Sequence, residues 1–190
     1  MNEQHFDSEN FKQIDFTKQR IALNTYDTCT FERCDFSKSD LAEVRFLDCR
    51  FVGCNFALSN VGHTVFSNVV FQECKMTGIN FEKANTALFS VTFIQCDLSS
   101  SLFTKIKLRK TTFDNCILKS VDFTGCDLTE AKMPSCDLAG AHFENTILEK
   151  ADLRTAINFT IDPDINRIRK ARFSYSGLYG LLEKYGIEVN

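Results

Sequence analysis

The 190-residue sequence predicts an all-β solenoid, a chain wound into stacked coils with five-residue sides. Three observations carry that prediction. A large apolar residue returns at every fifth position, a small residue stands two places before nearly every one of them, and the residues between are mostly polar. A period of five fits neither the 3.6 of an α-helix nor the 2 of a strand, so neither element by itself accounts for the chain.

The large series runs Phe11, Phe16, Ile21, Tyr26, Phe31, Phe36, Leu41, Phe46, Phe51, Phe56, Val61, Phe66, Phe71, Met76 and Phe81. It slips by two and resumes at Leu88, Phe93, Leu98, Phe103, Leu108, Phe113, Leu118, Phe123, Leu128, Met133, Leu138, Phe143, Leu148 and Leu153. Of these 29 positions 24 are Phe or Leu, too regular for an accident of composition. From Cys29 onward, the 25 positions two places earlier hold only Cys, Ser, Thr, Ala, Val or Ile. Each unit therefore turns one large and one small side chain inward and three outward. Four units make a coil of 20 residues, and stacked coils bury a continuous core.

Segments such as Cys34-Asp35-Phe36-Ser37, Cys126-Asp127-Leu128-Thr129 and Cys136-Asp137-Leu138-Ala139-Gly140 resemble the A(D/N)LXX unit of pentapeptide-repeat proteins. The resemblance covers roughly residues 6–155 and implies a right-handed quadrilateral β-helix, here of about seven coils. On a 20-residue coil, with Glu82–Leu88 as one seven-residue side, like residues fall into columns. One column reads Phe11, Phe31, Phe51, Phe71, Phe93, Phe113, Met133, Leu153, and another Ile21, Leu41, Val61, Phe81, Phe103, Phe123, Phe143. The small column Cys34, Cys54, Cys74, Cys96, Cys116, Cys136 is unbroken across the slip.

The nine cysteines all take the small inward position, which reads them as a structural core ladder of reduced thiols. Their closest spacing is five, unlike the CxxC pairs of zinc sites, so neither metal nor cofactor is expected. Many free thiols point to a cytoplasmic protein. No run approaches the roughly 18 apolar residues that span a membrane.

Solenoid is expected over residues 1–156. Glu9, Gln19 and Asn24 occupy small positions, marking the first coil as an irregular cap on the open N-terminal edge. Residues 157–190 are expected to form a linker, a helix and a terminal strand. Asp162-Pro163 ends strand pairing, because proline has no N–H to donate. Arg167, Arg169, Lys170 and Arg172 read as a solvated connector. Ser176 to Tyr185 reads as one helix with Leu178, Leu181, Leu182 and Tyr185 in a stripe, ended by Gly186, and Ile187-Glu188-Val189 as a last strand. A helix of about ten residues is marginal alone. Its stripe must pack on its own rod or on the same end of a second molecule. The homodimer is the favoured reading, through Leu178, Leu181, Leu182, Tyr185 and Ile187, because a symmetric contact also buries an open sheet end.

The functional expectation is binding without catalysis. His5, His63 and His142 are scattered, and no phosphate-binding loop, HExxH or nucleophile elbow occurs. Asp15, Asp35, Asp97 and Asp137 share one outward column, a candidate partner-facing acidic face. Direct nucleic-acid binding is not expected, since the pI is about 5.7 and the phenylalanines point inward. The stretch from Cys74 to Leu98 resembles the Qnr quinolone-resistance proteins, including the two-residue slip. The tail from Ile161 to Val189 looks like that of the microcin B17 immunity protein, McbG. With MfpA, these relatives imply interaction with DNA gyrase or topoisomerase IV, modulating or protecting the enzyme, and a dimer made by the C-terminal module. Residues 1–160 carry 21 acidic and 17 basic residues, a balance of −4. A 35 Å rod imitating duplex DNA would want roughly 20 negative charges. The alternative is a rigid scaffold for another bacterial protein, offering outward Val52, Val70, Ile94, Leu102, Ile117 and Ile147.

Overall fold

The computed structural model describes residues 4–18, 21 and 24–188; Gln19 and Val189 lie outside the described residues. The chain is a right-handed quadrilateral β-helix of about eight coils. Two of its sides carry parallel sheets, one reaching Ser67 and the other Asp114. One orders β1 (His5–Asp7), β3 (Thr25–Asp27), β5 (Arg45–Leu47) and β7 (Val65–Ser67). The other orders β2 (Asn10–Lys12), β4 (Thr30–Glu32), β6 (Arg50–Val52), β8 (Val69–Gln72), β9 (Val91–Ile94) and β10 (Thr112–Asp114). Elsewhere single parallel bridges join the coils, such as Asp35 to Asn55 and Asp122 to His142.

The corners explain why a five-residue side is possible. Two places after most of the large residues the backbone enters the left-handed region, as at Lys38 (φ 55°) and Glu130 (φ 61°). Twenty-three described non-glycine residues have positive φ, and Gly53, Gly78, Gly125 and Gly140 fill the same corner position elsewhere. The conformation is costly for L-residues. It is offset because most corner N–H groups still reach the next coil: Lys38 donates to the Ala57 carbonyl and Glu130 to that of Glu149, both at 2.9 Å.

The core is a lattice of rings. Along one column Phe11, Phe31, Phe51, Phe71, Phe93 and Phe113 stack face to face at 4.6–5.5 Å. Between columns the rings meet edge to face, as Phe46 with Phe51 at 5.1 Å and Phe51 with Phe56 at 5.0 Å. Both arrangements suit the aromatic quadrupole.

The first coil is more regular than its small positions suggested. Phe6 pairs with Tyr26 in register and stacks on it at 4.9 Å, so β1 and β2 are ordinary sides. At the slip, Leu88 does not point inward. It closes a 3₁₀ turn, Thr86–Leu88, and is 49% exposed. Phe89, the first extended residue beyond it, takes the inward place against Phe81 at 5.7 Å and Phe66 at 6.1 Å. Ala84, not Thr86, is the buried small residue there.

The coil register continues past Ala156. Arg167 bridges Ile147, and β11 (Asp152–Leu153) pairs with β12 (Arg172–Phe173). Pro163 therefore does not end the solenoid, and Arg167 to Arg172 form sides of a last coil instead of a connector. Asn166 shows how that coil is held: its buried amide donates to the Phe143 and Asp162 carbonyls, each at 2.9 Å.

The segment from Ser176 to Tyr185 is not one α-helix. A single turn, α1 (Tyr179–Leu182), lies between 3₁₀ turns Ser176–Leu178 and Glu183–Tyr185. Gly186 ends it in the left-handed conformation (φ 59°). Ile187 and Glu188 are not in a strand.

Candidate interaction surfaces

The four predicted aspartates do share one column. Parallel bridges link Asp15, Asp35, Asn55, Lys75, Asp97, Ile117, Asp137 and Ile157 in that order. Lys75 and two isoleucines interrupt the negative charge, and the carboxylates are engaged. Asp35 Oδ1 accepts from the Ser37 N–H at 2.9 Å, Asp97 Oδ1 from Ser99 at 3.0 Å and Asp137 Oδ1 from Ala139 at 3.2 Å. The Thr17 hydroxyl, then Lys18 at 3.0 Å, hold the Asp15 carboxyl down at about 2. Asp137 is also paired with Lys119 at 3.1 Å.

This side-chain-to-backbone closure recurs at twelve described Asp or Asn positions, from Asp15 through Asp162. An Asp or Asn one place before the large residue stitches its own turn two residues on. The column is thus first a row of turn locks and second a weakly acidic surface.

The small inward column has a polar task that residue size alone did not reveal. Cys54 Sγ donates to the Phe31 carbonyl at 3.4 Å, Cys96 to Phe71 at 3.4 Å, and Cys136 to Phe113 at 3.1 Å. Ser59, Thr64 and Ser101 do the same to Phe36, Leu41 and Met76 at 2.7–3.0 Å. Each donor satisfies a carbonyl of the coil below, which explains why Cys, Ser and Thr alternate freely there. Their shared capacity to donate was the signal available in the sequence.

Cys34, Cys54, Cys74, Cys96, Cys116 and Cys136, with the other three, are all buried and unbridged. Burial pushes the Cys49 and Cys126 thiols up to about 12. We expect no thiol to react with iodoacetamide at pH 8 in the native protein and all nine to react in denaturant. Rapid native labelling counted by mass spectrometry is the contrary result.

At the C-terminal end the predicted dimer residues divide. Leu181 packs against the core and Leu182 is half-buried, while Leu178 (40%), Tyr185 (56%) and Ile187 (44%) are exposed. They diverge because the segment changes pitch twice, so the i, i+3, i+4, i+7 rule does not place them on one face. Tyr175 and Tyr179, which the stripe omitted, are also exposed. The module is docked on its own rod. The Ile161 N–H donates to the Gly180 carbonyl at 2.9 Å, Thr160 donates to Glu183, and Lys184 bridges Asp162 and Asp164.

Among the described residues no group of His, Cys, Asp or Glu is arranged to hold a metal. Nor, among the described residues, is any helix long and apolar enough to cross a membrane.

No curated protein sequence matches the chain. Among solved structures it resembles HetL, a pentapeptide-repeat protein involved in heterocyst differentiation regulation in the cyanobacterium Nostoc sp. strain PCC 7120. The TM-score is 0.74 at 16% identity, over 93% of this chain and 90% of HetL. It also resembles full-length QnrB1, a plasmid-mediated fluoroquinolone resistance protein, with a TM-score of 0.61 at 17% identity, over 96% of this chain and 100% of that one. At these identities the likeness is one of fold. The profile of the pentapeptide repeat region matches residues 24–87 and 86–157, which hold most of the five-residue period, the corners and the turn locks. The chain belongs to the pentapeptide-repeat family.

Proposed function

We propose that this protein is a non-catalytic binding rod that engages DNA gyrase or topoisomerase IV and modulates or protects it, in the manner of quinolone- or toxin-resistance proteins. The observation that carries the binding role is the commitment of the inward groups. Thiols and hydroxyls satisfy carbonyls, rings fill the core, and no buried side-chain polar atom among the described residues lacks a partner. What is left to act is surface. The topoisomerase assignment is supported by the Qnr-like stretch from Cys74 to Leu98 on a rod of the same extent as QnrB1.

A gyrase supercoiling titration, with and without ciprofloxacin and at two salt concentrations, tests this reading. Relief of drug inhibition, or direct inhibition by the protein, is expected. No effect under either condition would leave the second reading, a scaffold for another partner. That reading is favoured by the interruption and ion pairing of the acidic column, which suit imitation of DNA poorly.

The rod acts as a homodimer joined at its C-terminal end, where Leu178, Tyr185 and Ile187 are exposed beside Tyr175 and Tyr179. The double substitution Leu178→Arg with Tyr185→Arg is expected to halve the mass in light scattering and leave the far-UV spectrum unchanged. Replacing Leu181 would confound that test, because its side chain packs on the rod.

A further inference from the structure

The sequence from Arg167 to Arg172, Arg-Ile-Arg-Lys-Ala-Arg, is built into the last coil, and its side chains sort by the coil's own rule. Ile168 packs against the core, while Arg167, Arg169, Lys170 and Arg172 are exposed. Four cations thus wrap one corner of the rod. Two further exposed cations lie on the coils below: Lys132, two coils down the column of Arg172, and Lys150, beneath Lys170.

Part of this charge is neutralised. Arg167 pairs with Glu149 at 2.6 Å, Lys150 with Glu130 at 3.2 Å, and Arg154 with Asp152 at 2.7 Å. Lys132, Arg169 and Lys170 make no ion pair or side-chain hydrogen bond among the described residues. The surface is also shaped: a groove of about 610 Å³ runs between Lys132, Pro134, Asp152, Arg154, Thr155 and Arg172.

We propose that this basic corner is a docking site for an acidic peptide segment of a protein partner. The chemistry selects anionic side chains: Arg172 shares Asp152 with Arg154, and Arg169, Lys170 and Lys132 have no ion-pair partner among the described residues, so the cations outnumber the carboxylates beside them. The size selects a short segment. From Lys132 to Arg172 the patch covers two coil steps, about 10 Å along the rod. An extended peptide presents alternate side chains about 6.6 Å apart, so two or three acidic side chains on one of its faces span a patch of that size. A long polyanion would run onto the rest of a chain whose net charge is −3. The site does not depend on the partner being a topoisomerase.

The test is fluorescence anisotropy of fluorescein-labelled hexaglutamate with the full chain, with a 20-base-pair DNA duplex in parallel. Three proteins are compared: wild type, the triple variant Arg169→Glu, Lys170→Glu, Arg172→Glu, and a control, Lys38→Glu, Lys75→Glu, Lys83→Glu. The control makes the same change of net charge on other exposed residues. Hexaglutamate should bind at low salt, more weakly as salt rises. The triple variant should weaken it by about fivefold or more, and the control by less. No binding of hexaglutamate, a triple variant within about fivefold of wild type, or a control as damaging as the triple variant overturns the proposal. Tighter binding of the duplex than of the peptide also overturns it, in favour of nucleic acid. Unchanged circular dichroism of both variants confirms that the fold is intact.

Discussion

Phe51→Ala is expected to destabilise the rod by about 3 to 5 kcal/mol in denaturant unfolding. Phe51 is fully buried and touches five other rings. It stacks on Phe31 and Phe71 along its column and meets Phe36, Phe46 and Phe56 edge to face. Truncation removes one of the largest side chains in the core and opens a cavity the neighbours cannot refill. Each ring is fixed by its own corner, and the corners by hydrogen bonds to the coils above and below. Leucine at the same place should cost less, since the column already passes to Met133 and Leu153 at its far end. A loss below about 1 kcal/mol for the alanine variant would mean the core relaxes as a rigid solenoid should not.

Gly180→Ala is expected to detach the C-terminal module while leaving the coils folded. A Cβ at Gly180 would lie 2.0 Å from the Phe159 carbonyl oxygen and 2.9 Å from its Cδ2. The obstruction is backbone on one side and a buried ring on the other, so neither can move cheaply. The same carbonyl–amide contact, Ile161 N–H to Gly180 O, would open. Trypsin cleavage at Lys184 should rise by about tenfold, reporting the undocked state, with the main unfolding transition retained. Gly62→Ala is the matched comparison: its Cβ would meet nothing closer than 3.4 Å, and no change in cleavage is expected. Equal behaviour of the two variants would show that the module is not seated on Phe159. Light scattering on the Gly180 variant also tests whether the proposed dimer requires a docked module.

The repeat was legible because a solenoid is nearly a one-dimensional problem. A residue's neighbours are its own side and the positions 20 before and after it, so the period of the string is also the contact list of the fold. Phe31 upon Phe51 and Asp15 beside Asp35 were readable as columns for that reason. Where the period was broken, the string stopped being sufficient. At the slip, counting back from Phe93 chose Leu88, and the inward place is taken by its neighbour Phe89 instead. The 3₁₀ turn aims the larger ring inward. At Pro163 a local rule about proline outweighed the 20-residue count, although the sides carrying Arg167 and Arg172 still had coils to pair with.

The candidate surfaces follow the same division. The sequence by itself determined which side chains face inward wherever the period is unbroken, the order of the columns, and that the four aspartates share one. Each of these depends on periodicity alone. Tertiary structure decided that the aspartate carboxylates are occupied by their own turns and that the inward thiols donate to the coil below. It also decided that Leu181 belongs to the rod while Leu178 does not, and that the basic residues of the last coil gather on one corner with fewer carboxylates than cations beside them. These depend on angles and distances within a coil and at its ends, where a hydrogen bond is gained or lost within about an ångström and no periodic pattern fixes the answer.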